Sequence, residues 1–240
     1  MIRRIFAILL ALCVLFSTVI CCAEDFEDDW DDEDWDDEDF EEEGYETEEV
    51  LEGFDAIASY GIEKFKVGDF EFTTTGDGTG AVLTSYKGSE PDVVIPETAE
   101  DLPVVDIIEG ACLGNPVIES IEIPGTVLTV RNNAFASCMK LKTVVLGEGV
   151  LALGKCCFGG CRDLVEVQFP DSLQTIDDFA FASCTELEQI TFGTELTSIG
   201  MQAFLGCAKL SSVKLTGSND IQIGKSAFDG CAESPESIIQ

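Results

Sequence analysis

The chain has 240 residues, with 47 Asp and Glu against 13 Lys and Arg and no histidine, for a formal net charge of -34. A chain this acidic excludes nucleic acid and anionic membrane surfaces as partners, since both are held by clustered Lys and Arg. The missing histidine removes the general base from Ser-His and Cys-His nucleophile pairs.

The first element is an export signal over residues 1-23: Arg3 and Arg4, an apolar run from Ile5 to Ile20, and small residues ending at Ala23. The alternative is an uncleaved anchor, because the run approaches the roughly 17 to 25 apolar residues that span a bilayer. Lipid modification at Cys21 or Cys22 fits less well, because Ile20 and not a small residue precedes Cys21. On each of these readings the membrane is met only through the N-terminal segment. The bulk of the chain is then extracellular or at the cell surface.

Residues 24-52 hold 20 Asp or Glu among 29 positions and no Lys or Arg. Self-repulsion and the lack of aliphatic side chains put this acidic segment in the disordered class. Phe26, Trp30, Trp35, Phe40 and Tyr45 punctuate it at steps that keep to no single helical or strand face. The plain reading is a solvated spacer. The sharper one is a polyanion that binds divalent cations or basic peptides weakly by long-range attraction. Nothing in it matches an ordered calcium loop, which needs spaced oxygen ligands around a bend glycine.

An internal repeat organises the rest. Five segments align on a small residue, Phe, and Cys three residues later: Ala134-Phe135 with Cys138, Cys157-Phe158 with Cys161, Ala180-Phe181 with Cys184, Ala203-Phe204 with Cys207, and Ala227-Phe228 with Cys231. The Phe-to-Phe steps are 23, 23, 23 and 24 residues, and a degenerate copy places Ala111-Cys112 and Asn115 one period earlier. An aliphatic follows each cysteine by three (Leu141, Leu164, Leu187, Leu210). Alternating pairs such as Val144 and Leu146 then predict a short strand. A turn residue ends each strand, at Pro96, Pro124, Gly147, Pro170 or Gly193, and a second apolar position such as Ile176 or Ile199 leads back to the next Ala-Phe. Each unit should therefore hold one strand, one extended return and one helical turn. It is too small to bury its own apolar face, which must be covered by stacked neighbours. The fold class is a repeat solenoid of leucine-rich type over residues 92-240, with short parallel strands on one face. Six strands spaced by about 4.8 Å would make a slab about 29 Å long.

These units resemble the BspA-like bacterial leucine-rich repeats, whose pattern is approximately L-x-x-V-x-I-P followed by I-G-x-x-A-F-x-x-C, closely over residues 105-231 and more loosely back to Phe70. The resemblance implies an N-terminal hairpin cap, here Phe70 to Tyr86 with Thr74 to Gly80 as its tip, within a cap region of residues 53-91. It also implies a first strand at Asp92-Val93-Val94-Ile95-Pro96. For function it implies cell-surface adhesion to host matrix proteins or to other cells. Cys112 and Asn115 depart from the pattern, and no wall-sorting motif is visible.

Eleven cysteines in an exported chain would ordinarily suggest a disulfide framework. The register gives another explanation: Cys138, Cys161, Cys184, Cys207 and Cys231 share one slot, filled by a small apolar thiol. In-register parallel side chains hold their Cβ atoms slightly too far apart for bridges, so a ladder of thiols is expected. Cys112 and Cys157 fill the Phe and Ala slots of their own units, which leaves Cys156 outside the apolar slots. A zinc site from Cys156, Cys157 and Cys161 lacks a fourth ligand and paired spacing. The adjacent Asp177 and Asp178 have no acidic partner in register for glycoside hydrolysis. No catalytic, cofactor or metal residue is therefore assigned, and the chain reads as a non-enzyme.

In each strand the residues flanking the inward Val or Ile should face outward. They form a ribbon of Ser120 and Glu122, Thr143 and Val145, Glu166 and Gln168, Gln189 and Thr191, and Ser212 and Lys214. Such a ribbon suits a protein or polysaccharide partner bound through many weak contacts, although it has no aromatic anchor. A passive structural surface protein is the alternative function, and an enzyme or enzyme inhibitor is the distant one. Because the acidic segment buries no apolar area, deleting residues 24-52 should leave the melting temperature of the folded part within about 2 °C. A large drop in a thermal scan would show that the domain boundary lies elsewhere.

Overall fold

In the computed structural model, residues 60-217 and 221-232 are described; the export signal and the acidic segment lie outside them. The N-terminal cap contains β1 (Tyr60–Val67), β2 (Phe70–Thr75) and β3 (Ala81–Tyr86), which are successively antiparallel. The expected hairpin is therefore present, and β1 adds a strand the repeat pattern could not announce. After the cap come β4 (Asp92–Val94), the short β5 (Thr98–Ala99) and β6 (Leu102–Ile107). From there two strand types alternate: β7 (Ser120–Ile123) and β8 (Thr129–Val130), β9 (Thr143–Leu146) and β10 (Ala152–Leu153), β11 (Glu166–Gln168) and β12 (Thr175–Ile176), β13 (Gln189–Phe192) and β14 (Ser198–Ile199), β15 (Ser212–Leu215) and β16 (Gln222–Ile223).

The return strands make one continuous sheet with the cap, in the order β1-β2-β3-β6-β8-β10-β12-β14-β16, parallel from β3 onward. The opposite face is built from β4 and the odd strands from β7 onward, and divides into a four-stranded sheet, β11-β9-β7-β4, and a pair, β13-β15. Between the faces lies the core. Phe135, Phe158, Phe181, Phe204 and Phe228 stack with ring centroids 5.2 to 5.3 Å apart and planes within 12° of parallel. Each buried ring contributes about 1.5 to 3 kcal/mol of transfer free energy, and none could be shielded within its own unit.

The third side of each unit differs from expectation. The segment around Ala-Phe-x-x-Cys is not a helical turn, and the described residues contain no helix. Two positions in every unit take left-handed backbone, which a right-handed turn cannot accommodate. One is the slot of Gly110, Asn133, Cys156, Phe179, Gln202 and Ser226; the other is the slot of Gly114, Ser137, Gly160, Ser183, Gly206 and Gly230. The result is an alternation of hydrogen bonds. Amides of Asn133, Phe135 and Ser137 donate forward to carbonyls of Lys155, Cys157 and Gly159 in the next unit, at 2.8 to 2.9 Å. Those of Ala134, Ala136 and Cys138 donate locally, three residues back. The pattern recurs in each later unit that has a described successor, so every second amide stitches the stack together.

A buried ion pair ties β6 to the unit that follows it. Asp106 on β6 is 1% exposed, and its Oδ2 accepts from Arg131 Nε at 2.6 Å. Its Oδ1 has no partner among the described residues, and burial pushes the carboxyl above its ordinary range against the pull of Arg131. Arg131→Ala should cost about 2 to 3 kcal/mol at pH 7, because it leaves the carboxylate buried and unpaired while the lost guanidinium was itself partly solvated. The variant raises the folded pKa of Asp106 still further, so its folded state binds more protons than the unfolded chain above the ordinary carboxylate pKa. Its stability deficit should then shrink as pH falls toward about 4. Urea unfolding at pH 7 and pH 5 measures this, and a deficit independent of pH would place the effect elsewhere.

Candidate interaction surface

Alternation in the odd strands sorts their side chains cleanly. Ile121, Val144, Val167, Ile190 and Val213 are buried, whereas Glu122, Glu166, Gln168, Gln189, Thr191 and Lys214 are exposed and Ser120, Thr143, Val145 and Ser212 are half-buried. Parallel register aligns them in two columns. Ser120, Thr143 and Glu166 form one, beside Glu122, Val145 and Gln168; Gln189 with Ser212 and Thr191 with Lys214 continue both on the smaller sheet. The strand before them extends the columns with Asp92 and Val94, which the ribbon reading omitted. Their signal was available, since Asp92-Val93-Val94 reads as a strand; Val94 is 61% exposed.

The ribbon is partly knitted. Ser120 Oγ donates to Asp92 Oδ1 at 2.6 Å, and Gln168 Nε2 donates to Glu166 Oε1 at 2.9 Å. At the lower edge of the strands Lys142 pairs with Glu119 at 2.7 Å and Lys209 with Glu186 at 2.5 Å, each across one repeat. These exposed pairs add little stability but fix where charge sits. Acid predominates at the N-terminal half of the ribbon, with Asp92, Glu122 and Glu166, and Lys214 stands at the other end.

Behind this face runs the thiol column, and it proves to be hydrogen-bonded. Cys138, Cys161, Cys184, Cys207 and Cys231 each donate from Sγ to the carbonyl of the Phe slot one unit earlier, at 3.1 to 3.4 Å. That carbonyl also accepts its own unit's Cys amide. The thiol is therefore a small apolar filler that satisfies a second lone pair of a buried carbonyl. No disulfide joins the eight cysteines among the described residues. Burial pushes Cys112 up to about 12 and Cys231 to about 11, and lifts Cys157, Cys161 and Cys207 well above the ordinary thiol range. Thiols held so far from ionisation at neutral pH are poor nucleophiles and poor metal ligands.

The remaining reactive groups serve the stack as well. Asp178 accepts from the Met201 amide at 2.7 Å and pairs with Lys155 at 3.3 Å, while its own amide donates to Asp177 Oδ1 at 2.7 Å. Asn132 accepts the Lys155 amide in the same way, two units earlier. Among the described residues no cluster of His, Cys, Asp or Glu is arranged to hold a metal ion. An open, polar groove of about 550 Å³ lies between the cap and the first left-handed corner, lined by Lys64, Glu71, Tyr86, Lys87 and the Gly110 to Pro116 backbone. No helix among the described residues is long and apolar enough to cross a membrane.

Comparison with known proteins places these features in a wider set. The profile of the BspA type leucine rich repeat region matches residues 106–234 in six copies. A leucine rich cell surface protein from Faecalibacterium prausnitzii is 30% identical, with a TM-score of 0.63 over 71% of this chain and 47% of that one. The chain thus spans about half the length of that protein. The leucine rich repeat protein of T. pallidum is 31% identical, with a TM-score of 0.52 over 71% of this chain and 69% of its own. A leucine-rich repeat protein from Eubacterium ventriosum shares the fold at 21% identity and a TM-score of 0.55, over 71% of this chain and 50% of that one. No curated protein matches the chain.

The thiol geometry predicts reactivity position by position. Cys156, half-buried at a left-handed corner, should label with a maleimide within minutes in the native protein. Cys161, Cys184 and Cys207, all fully buried, should label only at the rate of global unfolding. Mass spectrometry of a labelling time course reads both, and rapid native labelling at Cys184 would contradict the column.

Proposed function

We propose, from the premise that the chain belongs to the BspA type leucine-rich repeat family, that it is an exported binding module whose strand face recognises a large protein or polysaccharide. The observation that carries this reading is the ribbon: two columns of mostly short, polar side chains on six strands, in register within a four-stranded sheet and again within a two-stranded one, with Val94 and Val145 among them. Extended, shallow surfaces of this kind engage partners through many modest contacts. Host matrix proteins or the surfaces of other cells are the partners we propose. Catalysis has no comparable support: burial lifts the Cys161 and Cys207 thiols well above the ordinary thiol range, and Asp177 and Asp178 each accept a backbone amide.

In this reading residues 1-23 direct export, residues 24-52 form a solvated acidic spacer that attracts divalent cations or basic peptides weakly, and residues 53-91 cap the solenoid of residues 92-240. Similarity to a leucine rich cell surface protein supports an exterior location. A passive structural role would use the same fold without a saturable partner. Residues 24-240 titrated against immobilised matrix proteins and cell-wall polysaccharides should give saturable binding to at least one of them. Glu122→Lys and Glu166→Lys, both on exposed positions, should together weaken that binding roughly 10-fold at low salt and leave the melting temperature unchanged. If the double variant binds as before while substitutions on the Ala-Phe corner abolish binding, another face carries the contact.

A further inference from the structure

The strand face is interrupted at one step. Sheet pairing runs unbroken from β4 through β7 and β9 to β11, and resumes between β13 and β15, but β11 and β13 do not pair. At the β7–β9 and β13–β15 steps the residue after the later strand donates back one unit, Gly147 to the Ile123 carbonyl at 2.8 Å and Thr216 to the Phe192 carbonyl at 3.3 Å, and at the β4–β7 and β9–β11 steps Pro124 and Pro170 hold that slot. Among the described residues Gly193 makes no such bond to Phe169. Just before the strands, ties persist: the Glu186 amide and Thr185 Oγ1 reach the Arg162 carbonyl at 3.3 and 3.2 Å.

The other two sides of the same step are closed. On the return face Thr175 pairs with Ser198 and Ile176 with Ile199, and the Gly200 amide donates to the Ile176 carbonyl at 2.7 Å. At the corner the amides of Cys156, Phe158 and Gly160 donate forward to Asp178, Ala180 and Ala182 at 2.7 to 3.0 Å. Two sides of the triangle are stitched and the third is open.

The cause is visible in the side chains. The slot that ends each strand holds Ile95, Ile123 and Leu146, then Phe169 and Phe192 in succession, then Leu215. Two phenyl rings one above the other fit the strand spacing only when nearly parallel, as in the Phe158-Phe181 stack at 12°. Phe169 and Phe192 are instead tilted by 53° with centroids 4.8 Å apart, and Phe169 stands edge-on to Phe181 at 77°. Phe169 is only partly buried, and β11 stops at Gln168, one residue earlier than β7 or β9.

We infer that the step between β11 and β13 is a hinge built into the ribbon. The block ending at β11 and the block beginning at β13 change their mutual curvature by opening and closing the strand side, while the corner and return sides act as the pivot. The ribbon then presents two rigid plates, Asp92 to Gln168 and Gln189 to Lys214, that tilt to fit a partner larger than either. Only that last use rests on the proposed binding role; the hinge is a property of the unliganded chain.

Hydrogen exchange and residual dipolar couplings on residues 24-240 without partner test it. The amides of Gln189, Thr191 and Gly193 should exchange roughly 10-fold or more faster than their counterparts Ser212, Lys214 and Thr216, or Glu166 and Gln168. Couplings from the two blocks should need different alignment strengths. Phe169→Leu, which restores the aliphatic found at Leu146, should raise protection at Gln189 and Thr191 and bring the blocks to one alignment. Phe192→Leu serves as the second variant should the first fail to fold. Equal protection in the wild type together with a single shared alignment would overturn the hinge, whatever the chain binds.

Discussion

One backbone bond sets the length of the repeat. The Phe-slot amide donates forward to the Ala-slot carbonyl of the next unit, from Cys112 to Ala134, Phe135 to Cys157, Phe158 to Ala180, Phe181 to Ala203 and Phe204 to Ala227, at 2.7 to 2.9 Å. Because forward and local donors alternate along the corner, one extra residue there would exchange their roles and leave amides buried without acceptors. Length can vary only where that parity does not matter. The one 24-residue step obeys this rule: six residues separate β15 from β16, against five between β9 and β10.

The thiol column follows from the same bond. With the Phe-slot amide committed forward, its carbonyl is left facing the next unit's Cys slot. A side chain there must be small, tolerate burial and donate. Alanine meets the first two demands; serine would donate but costs more to bury than a thiol. Cysteine meets all three, which explains why the thiols of this column are kept without being joined. Where the slot holds Asn115, the side chain turns instead to the Val117 and Ile118 amides at 2.9 and 3.2 Å.

Periodicity made much of this legible. The Phe, Leu and Cys columns and the inward Val and Ile lie where sequence reasoning put them, because each depends on a residue type repeated at a fixed interval; the hairpin from Phe70 to Tyr86 was legible only through the family resemblance. The left-handed corners were only half legible. The second slot holds Gly114, Ser137, Gly160, Ser183, Gly206 and Gly230, a usable glycine signal, but the first follows Gly110 and Asn133 with Cys156, Phe179, Gln202 and Ser226, four types that do not announce a positive φ. Apolar spacing there resembled a helical turn, and only the strained corners rule it out. Asp106 hid because its slot otherwise holds uncharged residues, Thr129, Ala152, Thr175, Ser198 and Gln222, and its partner Arg131 is 25 residues away. The break after Phe169 hid for a different reason. Phe169 satisfies the apolar pattern by itself, and only its pairing with Phe192 one unit later is incompatible with the spacing. The ribbon's membership followed from alternation; what it recognises is a matter of shape and charge that no repeat encodes.

The corner bonds also give the stack a polarity. Corner amides point toward the C-terminal neighbour and thiols toward the N-terminal one, so the two faces of a unit are complementary and not alike. A unit can be followed only by another in the same orientation. Two such stacks could therefore extend one another through these bonds only head to tail, the geometry of a filament, and never tail to tail, the geometry of a closed twofold dimer. The cap breaks that translational sequence at one end, since its antiparallel strands present a different edge from a repeat corner. In crystallographic terms the solenoid has a screw axis and no dyad, and the cap is the defect that terminates it.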